Sequence, residues 1–173
     1  MITLDELRRI CPLSKPTTLD LYVEPLNAAM NEFEINNVAR ETMFLAQVAH
    51  ESGGFHYVQE IASGAAYEGR ADLGNIEPGD GVRFKGRGLI QITGRANYDS
   101  CGQALSLPLL DSPELLEQPV NAARSAGWFW QTHGLNQIAD VGDFVHITKR
   151  INGGTNGLAD RQAYLARAQS ALA

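Results

Sequence analysis

His50-Glu51-Ser52-Gly53-Gly54-Phe55 ends an apolar run and places one carboxyl at the close of a predicted helix. Phe44, Val48, Glu51 and Phe55 fall at spacings of four, three and four, so Glu51 takes a place on an apolar stripe. Asn36 or Asn37 is suited to cap this helix, and Gly53-Gly54 to stop it, because glycine accepts the backbone angles of a helix end. A carboxyl there is poorly solvated and faces the negative end of the helix dipole. Both features work against its ionised form, which is what a general acid needs. A buried Glu bonded to a backbone donor or to an Arg accounts for the pattern equally well.

Outward from this stretch the chain reads as helices. Leu4 to Ile10 has helical spacing and stops at Pro12, and Thr18 to Phe33 carries Leu19, Val23, Leu26 and Met30 at spacings of three and four. Asp111-Ser112-Pro113-Glu114 opens a short helix to Glu117, and Pro119 opens a longer one through Trp130. Asp143–Ile151 and Leu158–Ala171 complete the set. Gly64 to Lys85 reads as loop, and Leu89 to Thr93 as a short strand or a buried loop. Strand-like alternation is nearly absent. The expected fold class is therefore mainly α, with at most a small β element, in one domain over residues 1–173.

Composition narrows the function. Hydrophobic residues at 44% and charged residues at 20% describe a globular chain rather than a disordered one. No apolar run is long enough to cross a bilayer, and the first residues lack the order of a signal peptide. Synthesis in the cytoplasm and no stable membrane insertion are the expectations. A net charge of −6 without a basic patch argues against nucleic acid as a partner. Cys11 and Cys101 match no metal or redox spacing and are expected to be reduced, partly buried thiols. His50-Glu51 begins like a zinc-binding H-E-x-x-H, but Gly54 stands where the second His is required, so neither metal nor cofactor is expected.

Two further carboxylates, Glu60 and Glu68, follow in what reads as mobile, polar chain, where a carboxylate stays ionised and can position a water. Ordinary solvated charge is the plainer reading of each. An unlike pair of carboxyls, one protonated and one ionised, is the chemistry of glycosidic bond cleavage. Next comes Phe84-Lys85-Gly86-Arg87-Gly88-Leu89-Ile90-Gln91-Ile92-Thr93-Gly94-Arg95-Ala96-Asn97-Tyr98, whose glycines let backbone approach a ligand and whose Gln91, Thr93 and Asn97 offer groups suited to sugars. Ile151-Asn152-Gly153-Gly154 repeats the theme, and Arg161 could bridge to a buried Glu or solvate the start of the last helix. Trp128 and Trp130 point to different faces of a helix, one into the core and the other to its edge or to a sugar. His133 and His146 read as lone surface or core histidines.

Taken together, Ala49-His50-Glu51-Ser52-Gly53-Gly54, Gly86-Arg87-Gly88-Leu89-Ile90-Gln91-Ile92-Thr93 and Ile151-Asn152-Gly153-Gly154 resemble glycoside hydrolase family 19, the group of plant-type chitinases and many phage endolysins. The resemblance runs from about Met43 to Ala173. It implies a lysozyme-like, two-lobed helical fold and inverting hydrolysis of β-1,4-linked N-acetylated sugars. In these terms Glu51 matches the general acid and Thr93 the hydroxyl that helps hold the attacking water. His50, Gln91, Asn97, Tyr98 and Asn152 match or adjoin sugar-binding positions, and Arg161 an arginine that orders the acid. For the base, Glu60 is slightly favoured over Glu68. The expected substrate is peptidoglycan, cut between N-acetylmuramic acid and N-acetylglucosamine by a monomer that reaches the periplasmic wall through a holin or another route. Chitin hydrolysis and a non-catalytic glycan-binding role are the alternatives.

Overall fold

A computed structural model describes residues 1–173. Helix formation begins with a reciprocal cap. The Thr3 hydroxyl accepts from the Glu6 N–H while the Glu6 carboxylate accepts from the Thr3 N–H at 2.7 Å, which starts α1 (Leu4–Ile10). Pro16 opens α2 (Pro16–Glu32), and the Asn37 side chain accepts from the Arg40 N–H at 2.9 Å to cap α3 (Val38–Glu51). Then follow α4 (Asp80–Arg83), α5 (Arg95–Leu105), α6 (Pro119–Thr132), α7 (Leu135–Asp140), α8 (Phe144–Asn152) and α9 (Leu158–Ala171). No helix is long and apolar enough to cross a membrane.

The sequence places an apolar stripe on α3, but the helix is buried on nearly every side. Thr42 through Ala49 are all buried, because α9 and α7 both pack against it. Beyond these, α1 packs on α9 and α2, and α2 packs along α6, all in one hydrophobic core. Phe44 meets Trp130 of α6 edge-on at 5.4 Å, and the Trp130 indole N–H donates to Asn136 at 2.9 Å. Asn136 in turn donates to the Phe33 carbonyl at 3.1 Å, so a buried polar chain locks α6, α7 and the end of α2 in register. Gly127 belongs to the same contact, since a Cβ there would enter the Phe33 ring.

Within the same hydrophobic core, residues 59–110 gather around Phe84 and Tyr98, whose rings lie 5.3 Å apart. Two isolated antiparallel bridges, Gln59 with Arg87 and Arg87 with Ile92, are the whole β content. Leu89 to Thr93 is thus a buried turn with one bridge rather than a strand. The sequence reading missed α4, α5 and α7. Only Tyr98, Cys101, Gly102 and Leu105 of α5 are buried, and Gly102 is needed because a Cβ would stand 2.7 Å from the Leu107 carbonyl. A helix this polar is held by tertiary contact rather than by its own periodicity.

Gly64 to Lys85, expected as loop, carries α4 and two short 3-10 turns in otherwise irregular chain, and it is tied down. Asn75 is fully buried. It donates to the Tyr67 carbonyl at 2.9 Å and accepts from the Arg95 N–H at 2.8 Å. Asp80 accepts from the Arg95 guanidinium at 2.6 Å and from two backbone N–H groups, and the guanidinium holds its carboxyl below the usual range. Cys11 and Cys101 are free and more fully buried than expected, and burial pushes both thiols up to about 12.

Candidate active site

Glu51 is the last residue of α3, and the turn after it is built for one shape. Gly53, Gly54 and Phe55 all take left-handed φ, at 58°, 70° and 68°. The Ser52 hydroxyl donates to the Val48 carbonyl at 2.7 Å and accepts from the Phe55 N–H at 2.8 Å. Phe55 is buried against Tyr22 at 5.3 Å, which holds a non-glycine residue in a conformation it rarely adopts. Ser14 reaches across from the α1–α2 connection to donate to the Gly54 carbonyl at 2.8 Å, and a Cβ on Gly54 would displace it.

The Glu51 side chain is 20% exposed, and its Oε1 lies 2.6 Å from Nη2 of Arg161. That oxygen receives no well-directed hydrogen bond, so the contact is ionic and unsymmetrical. Arg161 is 2% exposed; it also donates to Gln47 and to the Asn156 carbonyl at 3.3 Å. Gln47 donates to Thr148 at 2.9 Å. The buried line Thr148–Gln47–Arg161–Glu51 thus joins α8, α3 and α9 behind the carboxyl. Solvation lost to the apolar helix is replaced by an opposite charge at contact distance. His50 bonds Asp160 at 2.6 Å and lies against Gly157, which fixes the start of α9 next to Arg161.

Glu60 sits where the first bridge begins. Its Oε2 accepts from the Gly86 N–H at 2.9 Å and from the Tyr67 hydroxyl at 3.1 Å, while Oε1 is buried with no partner. Burial, then the Glu60 charge, pushes the Tyr67 hydroxyl above its ordinary value, so the phenol stays a donor. A Cβ on Gly86 would stand 2.7 Å from Gln91 Oε1, 2.8 Å from Glu60 Oε2 and 3.2 Å from Thr93 Oγ1. Three of the expected site residues therefore converge on one glycine. Gln91 itself takes φ 56°, a strained conformation of the kind found at functional sites.

Glu68 sits in a different setting. Its two oxygens accept from the Gly79 and Gly81 N–H groups at 2.7 and 2.9 Å, so it anchors the entry to α4. The expectation of mobile chain around both carboxylates fails for the same reason: long-range backbone donors hold each one. Tyr98 is a second correction. It is fully buried, donates to the Lys85 carbonyl at 2.6 Å and accepts from Arg87 at 3.1 Å, so it is a core residue and not a sugar contact. Asn97 and Asn152 are exposed, and Asn97 donates to the Thr93 carbonyl at 2.7 Å.

The family model described as class I chitinase, of the glycoside hydrolase 19 group, matches residues 35–159. The chain belongs to glycoside hydrolase family 19. It is a mostly helical, chitinase-like glycosidase of that family. A family 19 domain-containing protein of Haemophilus influenzae is 28% identical over 80% of this chain and 82% of its own length. A basic endochitinase of Brassica napus is 40% identical over 79% of this chain, which spans only 50% of that protein. Among solved structures, a bacterial family 19 chitinase superposes with a TM-score of 0.79 at 21% identity, covering 99% of this chain and 94% of its own. Chitinase C of Streptomyces griseus superposes at 0.77, covering 99% and 76%. The family 19 fold is thus present over the whole chain.

One residue near this family 19 site escaped the sequence reading. Tyr67 gave no signal, because the loop that carries it has no periodicity. Of the two tryptophans, Trp130 is the core one, and Trp128 is partly buried and lines a pocket with Gln91, Thr93 and Asn97. A paired substitution separates the two candidate bases. Glu60→Gln is expected to lower turnover by about 10²- to 10⁴-fold with little change in melting temperature. Glu68→Ala is expected to leave turnover near wild type and cost about 1 kcal/mol of stability through its lost backbone bonds. Reducing-sugar release and thermal melts on both variants check this, and the opposite pattern would exchange the roles.

Proposed function

We propose that the protein is an endolysin-type lysozyme that hydrolyses the β-1,4 bond between N-acetylmuramic acid and N-acetylglucosamine by inversion. Glu51 gives its proton to the leaving oxygen. Glu60 takes a proton from the attacking water, and the Thr93 hydroxyl oxygen helps hold that water. The observation that carries this reading is the placing of two carboxyls by separate elements. Glu51 at the end of α3 lies against the buried Arg161, and Glu60 is held through Oε2 by Gly86 and Tyr67; Oε1 of each receives no hydrogen bond from the protein. Inversion requires about 6.5–9.5 Å between such carboxyls, with a water in the gap. His50 and Arg161 act as positioning groups, while Gln91, Asn97 and Asn152 contact sugar.

Peptidoglycan is favoured by the short connection between the carboxyls. Only Ser52 to Gln59 separates them, which leaves little chain to wall out a peptide-bearing glycan. In this role the protein is made in the cytoplasm, works as a monomer, and meets the periplasmic wall after release through a holin or another route. Chitin is the second reading, and the endochitinase relatives support it. Mass spectrometry of soluble products from Gram-negative peptidoglycan, run beside chitohexaose, separates them. Muropeptides with reducing N-acetylmuramic acid are expected. Short chitooligosaccharides with an intact wall would transfer the protein to the second reading.

A further inference from the structure

Tyr67 ends a 3-10 turn, Ala65–Tyr67, in a stretch of chain that belongs to none of the three motifs. Its backbone is nonetheless held on both sides. The Tyr67 N–H donates to the Gly64 carbonyl at 2.9 Å, and the Tyr67 carbonyl accepts from the side chain of the fully buried Asn75 at 2.9 Å. Gly64 takes φ 86° and lies backbone to backbone on Gly81 of α4. A Cβ on Gly64 would stand 2.5 Å from the Gly81 carbonyl oxygen, and one on Gly81 would stand 2.8 Å from that of Gly64. The turn is therefore seated against α4, and the direction of the phenol is set with it.

The phenol has one proton, and it goes to Glu60 Oε2 at 3.1 Å. The same oxygen accepts from the Gly86 N–H at 2.9 Å. A single donor leaves a carboxylate free to turn about that bond; a second donor from a separate segment fixes its plane. The two donors stand 7 and 26 positions from Glu60 in the chain. Of the charged groups around the pair, Lys85 donates from Nζ to the Glu60 carbonyl at 3.5 Å, and Arg70 acts on Tyr67 by its charge but is paired with Asp72. Gln91 and Thr93, which meet Glu60 at Gly86, are neutral. Hydrogen bonds rather than a cation hold this carboxylate, and Tyr67 is the only side chain among its donors.

We propose that Tyr67 is a positioning residue for the general base, its hydroxyl fixing the Glu60 carboxylate in the orientation that receives the proton of the attacking water. A donor also favours the charged form of the carboxylate it binds, and only that form accepts a proton. The inference rests on the reading of Glu60 as base, and it gives a part in the reaction to a loop outside the motifs.

Tyr67→Phe keeps the ring and removes only the hydroxyl, so the melting temperature is expected to fall by about 2–4 °C at most. On whichever of chitohexaose and peptidoglycan the wild type cleaves, kcat is expected to fall about 10- to 100-fold with KM within about 2-fold. The acid limb of the kcat profile is expected to move to higher pH by about half a unit to one unit, because a base without this donor takes up a proton more readily. In the Glu60→Gln background the same substitution is expected to change the residual rate by less than about 2-fold, since its effect passes through the carboxylate. An unchanged kcat and an unmoved limb in Tyr67→Phe, with Glu60→Gln inactive, overturn the proposal and leave the base reading standing. A loss in the Glu60→Gln background as large as in wild type also overturns it, because Tyr67 then acts without Glu60. Near wild-type turnover of Glu60→Gln removes the base reading, and this inference with it.

Discussion

Glu51→Gln is expected to lower hydrolysis of any glycan substrate by about 10²- to 10⁴-fold while leaving glycan binding in place. Gln fills the same space and meets the same neighbours, but it has no proton to give to a leaving oxygen. The variant also replaces the carboxyl that lies 2.6 Å from the Arg161 guanidinium in the native protein. Arg161 keeps its contacts to Gln47 and the Asn156 carbonyl, so the melting temperature should fall only modestly. Product release over time, together with calorimetric binding of an oligosaccharide, checks both halves. Turnover within a few-fold of wild type would remove Glu51 from the acid role.

Arg161→Met should produce the largest loss of stability. Its guanidinium is 2% exposed and answers Glu51 and Gln47 at once. Removing it leaves a carboxylate and an amide oxygen without their partner in the middle of the α3–α9 contact, at a cost of about 3–5 kcal/mol. For a chain of this size that corresponds to a melting temperature lower by on the order of 10 °C. Activity should fall with it, in kcat more than in KM, because Arg161 holds Glu51 and does not touch sugar. Arg161→Lys restores charge but not the planar fork, and should recover part of the stability and less of the rate. A methionine variant that melts like wild type would show that the buried line from Thr148 to Glu51 contributes little.

Much of the helical plan was legible because it is local. The capping of α3 by Asn37, the glycines at its end and the periodicity of α2 and α9 lie within a few residues of the elements they define. The helices that went unread, α4, α5 and α7, are polar or short, and what stabilises them comes from elsewhere in the chain. Arg161 shows the same division at the site. Its type and position suggested a bridge to a buried Glu, but Gln47, which fixes that bridge from 114 positions away, carried no signal of its own.

The sequence by itself determined the mainly helical class, the family motifs and the identity of Glu51 as the carboxyl at a helix end. The tertiary structure alone gave Glu60 and Glu68 their different settings, moved Tyr98 into the core, and set Tyr67 against Glu60 and Trp128 beside Gln91, Thr93 and Asn97. Periodicity and capping are short-range, so a single stretch of chain reveals them. A carboxylate's setting depends on which distant donors fold against it. Glu60 meets Gly86 from 26 positions away and keeps an oxygen free; Glu68 meets Gly79 and Gly81 and keeps neither.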